Sequence, residues 1–416
     1  MNAVVIPISA PQRLEDLGVR RSILEELALK IIYLAGEISM VDLADLMRLS
    51  TVAAEQLFIR LRKEHLVEVT GMLAGVQHRF VTTSGGKTRA QELLRLSQYA
   101  GPAPVSLADY SARVQAQTIR EMDITPEDVH RAFSDLVLEK HVLKQLGTAA
   151  VSGRTVFLYG PTGTGKTSVA ESFARLFESN RILVPHAIEV DGQIITVFDP
   201  VLHKPIPEVD KHTTDRRWVC CERPKMTVGG ELTLEMLDLQ YHDTLKYYTA
   251  PVQMKANNGL LVIDDFGRQR MQPSQLLNRW VVPLERRVDY LTLAGGSKID
   301  IPFDVFVILA TNINPAELMD DAFLRRIQTK IKLDCVSREQ FAEIFRRVCE
   351  SADMQPDASV IEGAASEITQ KYQQPLRPCH PRDIVQQICW EAKYEGRQAR
   401  LDIEAVQQAC KNYFVG

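Results

Sequence analysis

Three apolar runs stand out along the chain, and each is followed directly by polar residues. They are Val156–Tyr159, Leu260–Ile263 and Phe303–Ala310. Apolar runs without strict alternation are typical of strands that are buried on both faces, as in a parallel sheet covered by helices. The pattern therefore predicts an α/β fold of three layers, αβα.

The first run leads into a Gly-rich loop and then into a predicted helix. The loop matches G-x-x-x-x-G-K-[ST], in which glycines let the backbone turn around phosphates above a helix N-terminus. We expect Lys166 to reach the β- and γ-phosphates and Thr167 to hold Mg²⁺. The residues predicted to bind the nucleotide are Gly160, Pro161, Thr162, Gly163, Thr164, Gly165, Lys166, Thr167 and Ser168.

The second and third runs end in candidate catalytic residues. Leu260–Ile263 is followed by Asp264 and Asp265. Beside a P-loop, we expect Asp264 to bind the magnesium ion and Asp265 to orient or deprotonate the attacking water. The third run ends in Thr311 and Asn312.

The order of these motifs resembles that of the AAA+ ATPases, over about residues 135–416. This resemblance implies a P-loop NTPase fold with a helical lid, ATP and Mg²⁺ as cofactors, and ATP hydrolysis. It implies that Asn312 is sensor 1, which helps to place the attacking water. Many members carry Glu where this chain has Asp265, so the resemblance also leaves open a slowly hydrolysing, nucleotide-dependent scaffold.

Two later segments resemble the arginine-bearing motifs of the family. Asp321–Ile327 resembles the arginine-finger segment, in which Arg326 is the first choice and Arg325 the alternative. An arginine finger reaches the γ-phosphate of a neighbouring subunit. His380–Asp383 matches the sensor 2 position, which makes Arg382 a contact to the nucleotide within the same chain.

Within AAA+ proteins, the chain is similar to the MoxR-like branches that carry a β-hairpin before sensor 1. Val288–Leu293 and Lys298–Ile301 flank a Gly-Gly turn and predict this hairpin, which members of the family place near a central pore. Tyr247–Val252 is also MoxR-like.

Composition is that of an ordinary soluble protein. The chain has 416 residues, 45% of them hydrophobic and 25% charged, which allows about two to four domains. A net charge of -4 gives no general attraction to nucleic acid or acidic membranes. The apolar start, Ala3–Ile8, is too short for a signal peptide or a membrane span, so we expect a cytoplasmic protein without membrane insertion.

The cysteines favour a reducing compartment. There are seven, an odd number, and none forms a C-x-x-C pair. A cluster of possible metal ligands, His203, His212, Cys220 and Cys221, has irregular spacing, which favours buried thiols on a strand over a metal site.

Residues 1–97 predict a winged-helix domain. A helix through Glu64 follows Ser50 and Thr51, and two alternating strands flank a wing at Gly71–Gly75. Residues 1–100 contain 12 Lys and Arg against 11 Asp and Glu, so the domain is nearly neutral. Because phosphate neutralisation supplies the affinity of DNA readers, protein docking is favoured over DNA binding, which stays open.

The predicted outward face of the helix that runs through Glu64 mixes acidic, basic, polar and apolar side chains. It consists of Glu55, Gln56, Ile59, Arg60 and Lys63. DNA readers usually present a basic, polar face, so this composition also favours docking of a protein.

The rest of the chain divides as follows. Gln98–Ala108, with Gly101, Pro102 and Pro104, predicts a linker, and helical periodicity follows it up to a stop at Gly147. The predicted domains are 1–97, a winged helix; 98–150, a linker and helical segment; 151–334, the AAA+ core; and 335–416, a helical lid.

An insertion is predicted between the P-loop helix and the acidic strand. Asp191-Gly192 suits a type I′ turn between His186–Val190 and Gln193–Phe198. Trp218–Glu222 is interpreted as the next strand of the sheet, and Glu231–Leu239 as a helix.

Together these features predict an ATPase that assembles as a homo-oligomeric ring, a hexamer by resemblance, and remodels a protein partner. The ring follows from the arginine finger, because a site completed by the next subunit is incomplete in a single chain. The alternative from another class is a DNA-tethered regulator or DNA-processing motor.

Overall fold

The computed structural model describes residues 8–73, 77–178, 180–207, 214–318 and 324–414. The strands within these ranges are β1 (Glu37–Ser39), β2 (Val67–Leu73), β3 (Gln77–Thr82), β4 (Val105–Ser106), β5 (Val156–Tyr159), β6 (Arg181–Pro185), β7 (Ala187–Val190), β8 (Gln193–Thr196), β9 (Trp218–Glu222), β10 (Lys225–Val228), β11 (Gln240–Tyr241), β12 (Tyr248–Thr249), β13 (Leu260–Ile263), β14 (Val288–Thr292), β15 (Lys298–Pro302), β16 (Phe306–Thr311) and β17 (Thr329–Lys332).

The α-helices in the same ranges are α1 (Arg21–Ala35), α2 (Met40–Met47), α3 (Thr51–Lys63), α4 (Ser84–Leu96), α5 (Leu107–Ala116), α6 (Pro126–Ala132), α7 (Lys140–Ser152), α8 (Lys166–Phe173), α9 (Val252–Lys255), α10 (Pro273–Arg286), α11 (Pro315–Leu318), α12 (Arg338–Ser351), α13 (Ala358–Ser366), α14 (Cys379–Tyr394) and α15 (Ile403–Tyr413). Among these helices, none is both long and apolar enough to cross a membrane.

A central sheet of parallel strands carries the nucleotide motifs. Its order in the described part of the chain is β10-β13-β16-β5-β17. Successive side chains of a strand point to opposite faces. Val156 and Leu158 therefore pack with α7 and α8 on one face, whereas Phe157 packs with Trp280 of α10 on the other. Both faces are buried, which confirms the α/β prediction made from the apolar runs.

The N-terminal unit contains α1 to α4 and the antiparallel sheet β1-β3-β2. Ser39, Ser50 and Thr83 each accept a hydrogen bond from a backbone N–H in the first turn of a helix, as N-cap residues do. The elements follow the order predicted for residues 1–97. The tip of the predicted wing, residues 74–76, lies outside the described residues.

A second sheet, which we call the insertion sheet, packs against the N-terminal unit. Its order in the described residues is β11-β12-β8-β7-β4. The turn between β7 and β8 has φ of +51° at Asp191 and +83° at Gly192, and this hairpin confirms the prediction from Asp-Gly. Ala187 and Ile194 of this sheet belong to the hydrophobic core of the N-terminal unit. The two groups therefore share one core.

The segment predicted as a linker is packed into the fold. Ala103 and Val105 are fully buried, and Val105 lies in β4, which pairs with β7. The backbone N–H of Ala103 donates to the carbonyl of Met47 at 2.8 Å. The prediction of a linker that lets the N-terminal domain move is therefore wrong, because its small and β-branched side chains fill the contact between the N-terminal unit and the insertion sheet.

Two predictions for the insertion are also wrong. Trp218–Glu222 forms β9, which pairs antiparallel with β6, and the central strand is β10 instead. Pro224, which has no backbone N–H, separates the two strands. The helix predicted at 231–239 is reduced to a 3-10 turn at Glu235–Leu237. Leu232 and Leu237 are both buried in one core, and a spacing of five residues does not place them on one face of an α-helix.

The segment before the P-loop strand begins as predicted and ends later. Thr125 and Asp128 form a capping box at the start of α6. Gly147, predicted to stop the next helix, lies inside α7, and the helix ends at Gly153 with φ of +57°. A Cβ at Gly147 would lie 3.2 Å from Val129 Cγ2, so its small size serves the packing of α7 on α6.

The C-terminal helices α12 to α15 form their own core and confirm the helical pattern predicted beyond residue 335. Phe341, Phe345, Ile384 and Cys410 are fully buried in this core. A π-helical turn at Glu367–Lys371 continues α13. We call these helices the lid. The antiparallel hairpin of β14 and β15 is also confirmed.

Candidate functional site

The loop between β5 and α8 turns tightly at glycines with positive φ, as the sequence motif predicts. Gly160 has φ of +147°, and a Cβ there would lie 2.0 Å from the carbonyl oxygen of Leu333. Gly165, with φ of +86°, is the N-cap of α8. The first helical residue is Lys166, so the positive end of the helix dipole lies beneath the loop.

Lys166 lies folded against this loop. Its Nζ donates to the carbonyl of Gly160 at 2.9 Å and to that of Pro161 at 2.8 Å. Burial lowers the pKa of Lys166 below its usual value, while the carboxylates of Asp264 and Asp265 act in the opposite direction. The three charged groups are therefore neighbours at one edge of the sheet.

Thr167 and Asp264 form the centre of this edge. The Oγ1 of Thr167 donates to Oδ2 of Asp264 at 2.8 Å, although 97 positions separate them in the sequence. Asp264 follows β13, and Thr167 lies in the first turn of α8. A hydroxyl beside a carboxylate is an oxygen donor set that fits Mg²⁺, which takes one or two protein ligands together with phosphate oxygens. These residues fit the metal that the sequence predicts.

Asp265 is exposed and has a left-handed backbone, with φ of +47°. Its N–H donates to Oδ1 of Asp264 at 2.9 Å. Gln269 stabilises this turn, since its Nε2 donates to the carbonyls of Asp264 at 3.0 Å and Asp265 at 3.2 Å. Gln269 is not predicted from the sequence, because a glutamine four residues beyond the pair carries no motif signal.

Asn312, the residue that follows β16, lies beside the P-loop at the C-terminal ends of the central strands. Its Nδ2 donates to Oγ1 of Thr162 at 3.2 Å. Its Oδ1 is buried and has no hydrogen-bond partner in the described part of the chain. Thr311 holds the strand end by donating to the carbonyl of Phe266 at 2.6 Å. An amide oxygen left free at this place can accept a hydrogen bond from a water bound near the γ-phosphate.

The two candidate finger residues lie on the surface. Arg325 and Arg326 are exposed and precede the buried Ile327, whereas residues 319–323 lie outside the described residues. The Nε of Arg326 donates to Oε1 of Glu285 at 2.5 Å. This ion pair joins Arg326 to α10 of its own chain.

The lid lies against the P-loop at Cys379 and Arg377, whereas Arg382, predicted to contact the nucleotide, is exposed. Arg382 is 69% exposed and bonds to Asp383. Cys379 donates its backbone N–H to the carbonyl of Gly163 at 3.3 Å. A Cβ at Gly163 would lie 2.5 Å from Sγ of Cys379 and 3.5 Å from Cδ of Arg377. Arg377 is therefore the arginine of this segment that lies against the loop, and the motif match at Arg382 did not reveal it.

Comparisons with known proteins give limited similarity. Residues 337–412 match the model of a domain family of unknown function, DUF8689, which spans the lid. No curated protein matches the chain. The Thermotoga maritima RuvB Holliday junction branch migration motor shares 15% identity at a TM-score of 0.39, covering 66% of this chain and 69% of that one.

Two other solved structures are similar to the same degree. Domain III of the replication initiation protein DnaA from Thermotoga maritima shares 14% identity at a TM-score of 0.39, covering 71% of this chain and 100% of that one. NtrX from Brucella abortus shares 10% identity at a TM-score of 0.38, covering 85% of this chain and 61% of that one. Similarity at this level identifies neither a family nor a function for this chain.

Proposed function

We propose that the protein is an ATPase of the AAA+ type that binds ATP with Mg²⁺, works as a homo-oligomeric ring and remodels a protein partner. The single observation that carries the proposal is the hydrogen bond between Thr167 and Asp264 beside Lys166. It joins the two sequence motifs on which nucleotide hydrolysis depends.

The chemistry in this proposal is positioning with charge stabilisation. In this proposal, Lys166 releases the carbonyls of Gly160 and Pro161 and binds the β- and γ-phosphates. The carboxylates of Asp264 and Asp265 favour the charged form of Lys166. Bound Mg²⁺ supplies charge neutralisation between these phosphates. Asp265 orients or deprotonates the attacking water, and Asn312 accepts a hydrogen bond from that water.

For the lid, we propose that an arginine contacts the phosphates from within the same chain. Arg382 was predicted from its motif, and the position of Arg377 against Gly163 makes Arg377 a second candidate. The Nε of Arg377 is buried and without a partner in the described residues, so a phosphate oxygen would satisfy it.

Protein remodelling is favoured over DNA tethering by the surroundings of α3. The N-terminal residues of the recognition helix contact base edges in helix-turn-helix proteins. Here the chain at Pro11 and Leu14 lies against the N-terminal half of α3, since Ser50 Oγ donates to the carbonyl of Pro11, and Oε1 of Gln56 accepts from the N–H of Leu14. Gln56, predicted to face outward, is therefore used within the unit.

The same unit also exposes several large apolar side chains. Val52 and Ile59 lie on α3 with 49% and 56% of their surface exposed, and Leu46 on α2 is 51% exposed. Exposed apolar side chains suit a protein partner better than a phosphate backbone. We propose that this unit, a winged helix by its order of elements, docks the protein partner.

The ring and the finger are tested by mixing two inactive variants. Arg326→Ala should bind ATP almost normally and lose about 10³-fold or more in rate, because a finger acts only in the transition state. Lys166→Ala should lose ATP binding. Mixed, the two should regain part of the ATPase activity, since interfaces with an intact P-loop and an intact Arg326 form, and steady-state phosphate release measures it.

Arg325→Ala is the matched control and should hydrolyse ATP at nearly the normal rate. If Arg326→Ala keeps its turnover while Arg325→Ala loses it, the finger is Arg325. If neither variant loses turnover, the active site is complete in one chain and the ring proposal is wrong. ATP binding by Lys166→Ala as tight as that of the unaltered protein would contradict the P-loop itself.

A further inference from the structure

A group of arginines gathers at the opposite end of β5 from the P-loop. Gly153 ends α7 just before β5, and a Cβ there would lie 2.5 Å from Cγ of Arg120. The Nη2 of Arg287 donates to the carbonyl of the same glycine at 3.4 Å. Arg154 is the next residue along the chain, and its charge acts on Arg287, so three arginines lie near one turn.

Little negative charge balances them in the described part of the chain. The charged groups that act on Arg287 are Arg120 and Arg154, which lower its pKa, and Asp304, which raises it. Nε of Arg120 lies 3.9 Å from Oδ1 of Asp304. The carboxylate of Asp304 already accepts hydrogen bonds from Thr118 Oγ1, the N–H of Ile119 and Asn258 Nδ2.

The arginines also have unused donors. Nη1 of Arg287 and Nε of the neighbouring Arg223 are buried and have no acceptor in the described residues. A buried N–H without an acceptor is unfavourable, and an oxyanion would supply the acceptor. Burial lowers the pKa of Arg287 to about 10, and that of Arg223 also to about 10, which agrees with charges held out of water.

Helix-end capping accounts for only part of this arrangement. The carbonyl end of α7 carries about half a negative charge, and one arginine would satisfy it. Three arginines with one occupied carboxylate leave a net positive site with directed N–H groups. Guanidinium groups of this kind bind phosphate oxygens in pairs.

We propose that Arg120, Arg154 and Arg287 form a second binding site, separate from the P-loop, for a phosphate oxyanion. The four residues of β5 separate it from the P-loop by about 13 Å. Arg287 also caps α10 and accepts a hydrogen bond from the N–H of Phe303 at 2.8 Å, at the base of the hairpin of β14 and β15. The phosphate is either a free anion or part of a nucleic-acid backbone. The proposal does not rest on ATP hydrolysis.

The test is a titration of the full chain with inorganic phosphate, with the P-loop saturated by ADP and Mg²⁺. Calorimetry at constant ionic strength, with chloride as the reference salt, should show saturable binding. Arg120→Gln and Arg154→Gln, both at exposed positions, should each weaken it by about tenfold, the loss expected for one charged hydrogen bond. Arg287→Gln should abolish it. Arg346→Gln, an exposed arginine of the lid, is the matched control and should leave the affinity unchanged.

A second arm separates the two sources of phosphate. Fluorescence anisotropy of a labelled 20-nucleotide oligothymidylate is measured with the same variants. Binding of the oligonucleotide alone, weakened by Arg120→Gln and Arg154→Gln, assigns the site to a nucleic-acid backbone, and binding of inorganic phosphate assigns it to a free anion. The proposal is overturned if neither probe binds, or if the exposed-arginine variants bind both probes as the control does.

Discussion

Asp265 combines an exposed carboxylate with a left-handed backbone, a conformation that is uncommon outside glycine and that aspartate and asparagine adopt more readily than other residues. The hydrogen bonds from Gln269 to the carbonyls of Asp264 and Asp265 stabilise this turn. Gln269 thus acts on the predicted catalytic carboxylate through the backbone. It is a positioning residue in this interpretation, because its side chain bonds to the backbone of the turn.

We expect Gln269→Ala to lower kcat by about tenfold, the cost of one misplaced hydrogen-bonded group, while the affinity for ATP stays unchanged. Asp265→Asn should abolish hydrolysis and keep binding. Steady-state kinetics with nucleotide binding measured separately checks both. Gln269→Glu keeps the size and loses the donors, so full activity in that variant would contradict the positioning role.

His380 is a second residue whose environment predicts a measurable effect. It is buried at the start of α14, and burial lowers its pKa from 6.5 to about 4, assisted by the nearby charge of Arg377. Its Nδ1 accepts a hydrogen bond from the backbone N–H of Arg377 at 3.3 Å. Protonation of Nδ1 would remove the acceptor and place a charge in the core of the lid.

Because the folded-state pKa of His380 lies below the unfolded one, its contribution to stability is fully present above pH 6.5 and is lost as the pH falls toward 4. The midpoint of thermal unfolding should therefore fall over this range. His380→Asn, whose amide oxygen can accept the same bond, should give a shallower fall. Burial also lowers the pKa of His186 to about 4, so part of the dependence should remain. An unchanged pH profile in His380→Asn would contradict this assignment.

At the scale of elements, two neighbouring arginines join the N-terminal unit to the chain before β9. Arg217 is 4% exposed, pairs with the equally buried Asp215, and donates to the carbonyls of Leu17 at 2.8 Å and Pro104 at 3.2 Å. Arg216 pairs with Asp45 at the end of α2 and is more exposed.

Arg217→Ala should destabilise the protein by about 3 to 5 kcal/mol, because it leaves the carboxylate of Asp215 buried without its partner. Arg216→Ala is the matched control and should cost about 1 kcal/mol. Chemical denaturation of both variants measures the difference. Equal losses of unfolding free energy in the two variants would show that burial of Arg217 does not increase the cost of removing it.

Some of the strands, hairpins and helix ends could be predicted from the sequence, and others could not. β5, β13 and β16 were predicted because strands buried on both faces need continuous apolar runs, and the hairpins because Asp-Gly and Gly-Gly turns act locally. β10 was missed, because Lys225–Val228 lies at the edge of the sheet and alternates in burial. Gly147 was misjudged because its reason is a contact with Val129, which lies in another helix.

The residues of the candidate site also fall into those that local motifs predict and those that only the folded chain brings together. Gly160–Thr167 and Asp264 follow from local motifs, whereas Arg377 and Gln269 act through backbone contacts formed only when the lid and the β13 turn are in place. The segment 98–108 was predicted as a linker from its Gly and Pro content. Its burial depends on partners more than 80 positions away, such as Ile188 of β7, and composition does not contain that information.

At the scale of the whole molecule, the N-terminal unit and the insertion sheet share a core. A chain that begins at residue 98 would expose the side chains of Ala187 and Ile194, which pack against α1 to α4. We expect this truncation to have a lower midpoint of thermal unfolding than the full chain and a tendency to aggregate. Differential scanning fluorimetry and light scattering check this expectation, and a soluble truncation with unchanged stability would contradict it.

The buried Arg217 also bears on how the protein is made. Ribosomes add about 5 to 20 residues each second, and domains usually fold as they emerge. The N-terminal unit ends near residue 103, but its contacts to Arg217 form only after more than a hundred further residues have been synthesised, on the order of ten seconds later. Until β7 and β8 have been synthesised, its apolar face toward these strands stays open to solvent. The newly made chain therefore passes through a period in which chaperones that bind exposed apolar surface would find a substrate.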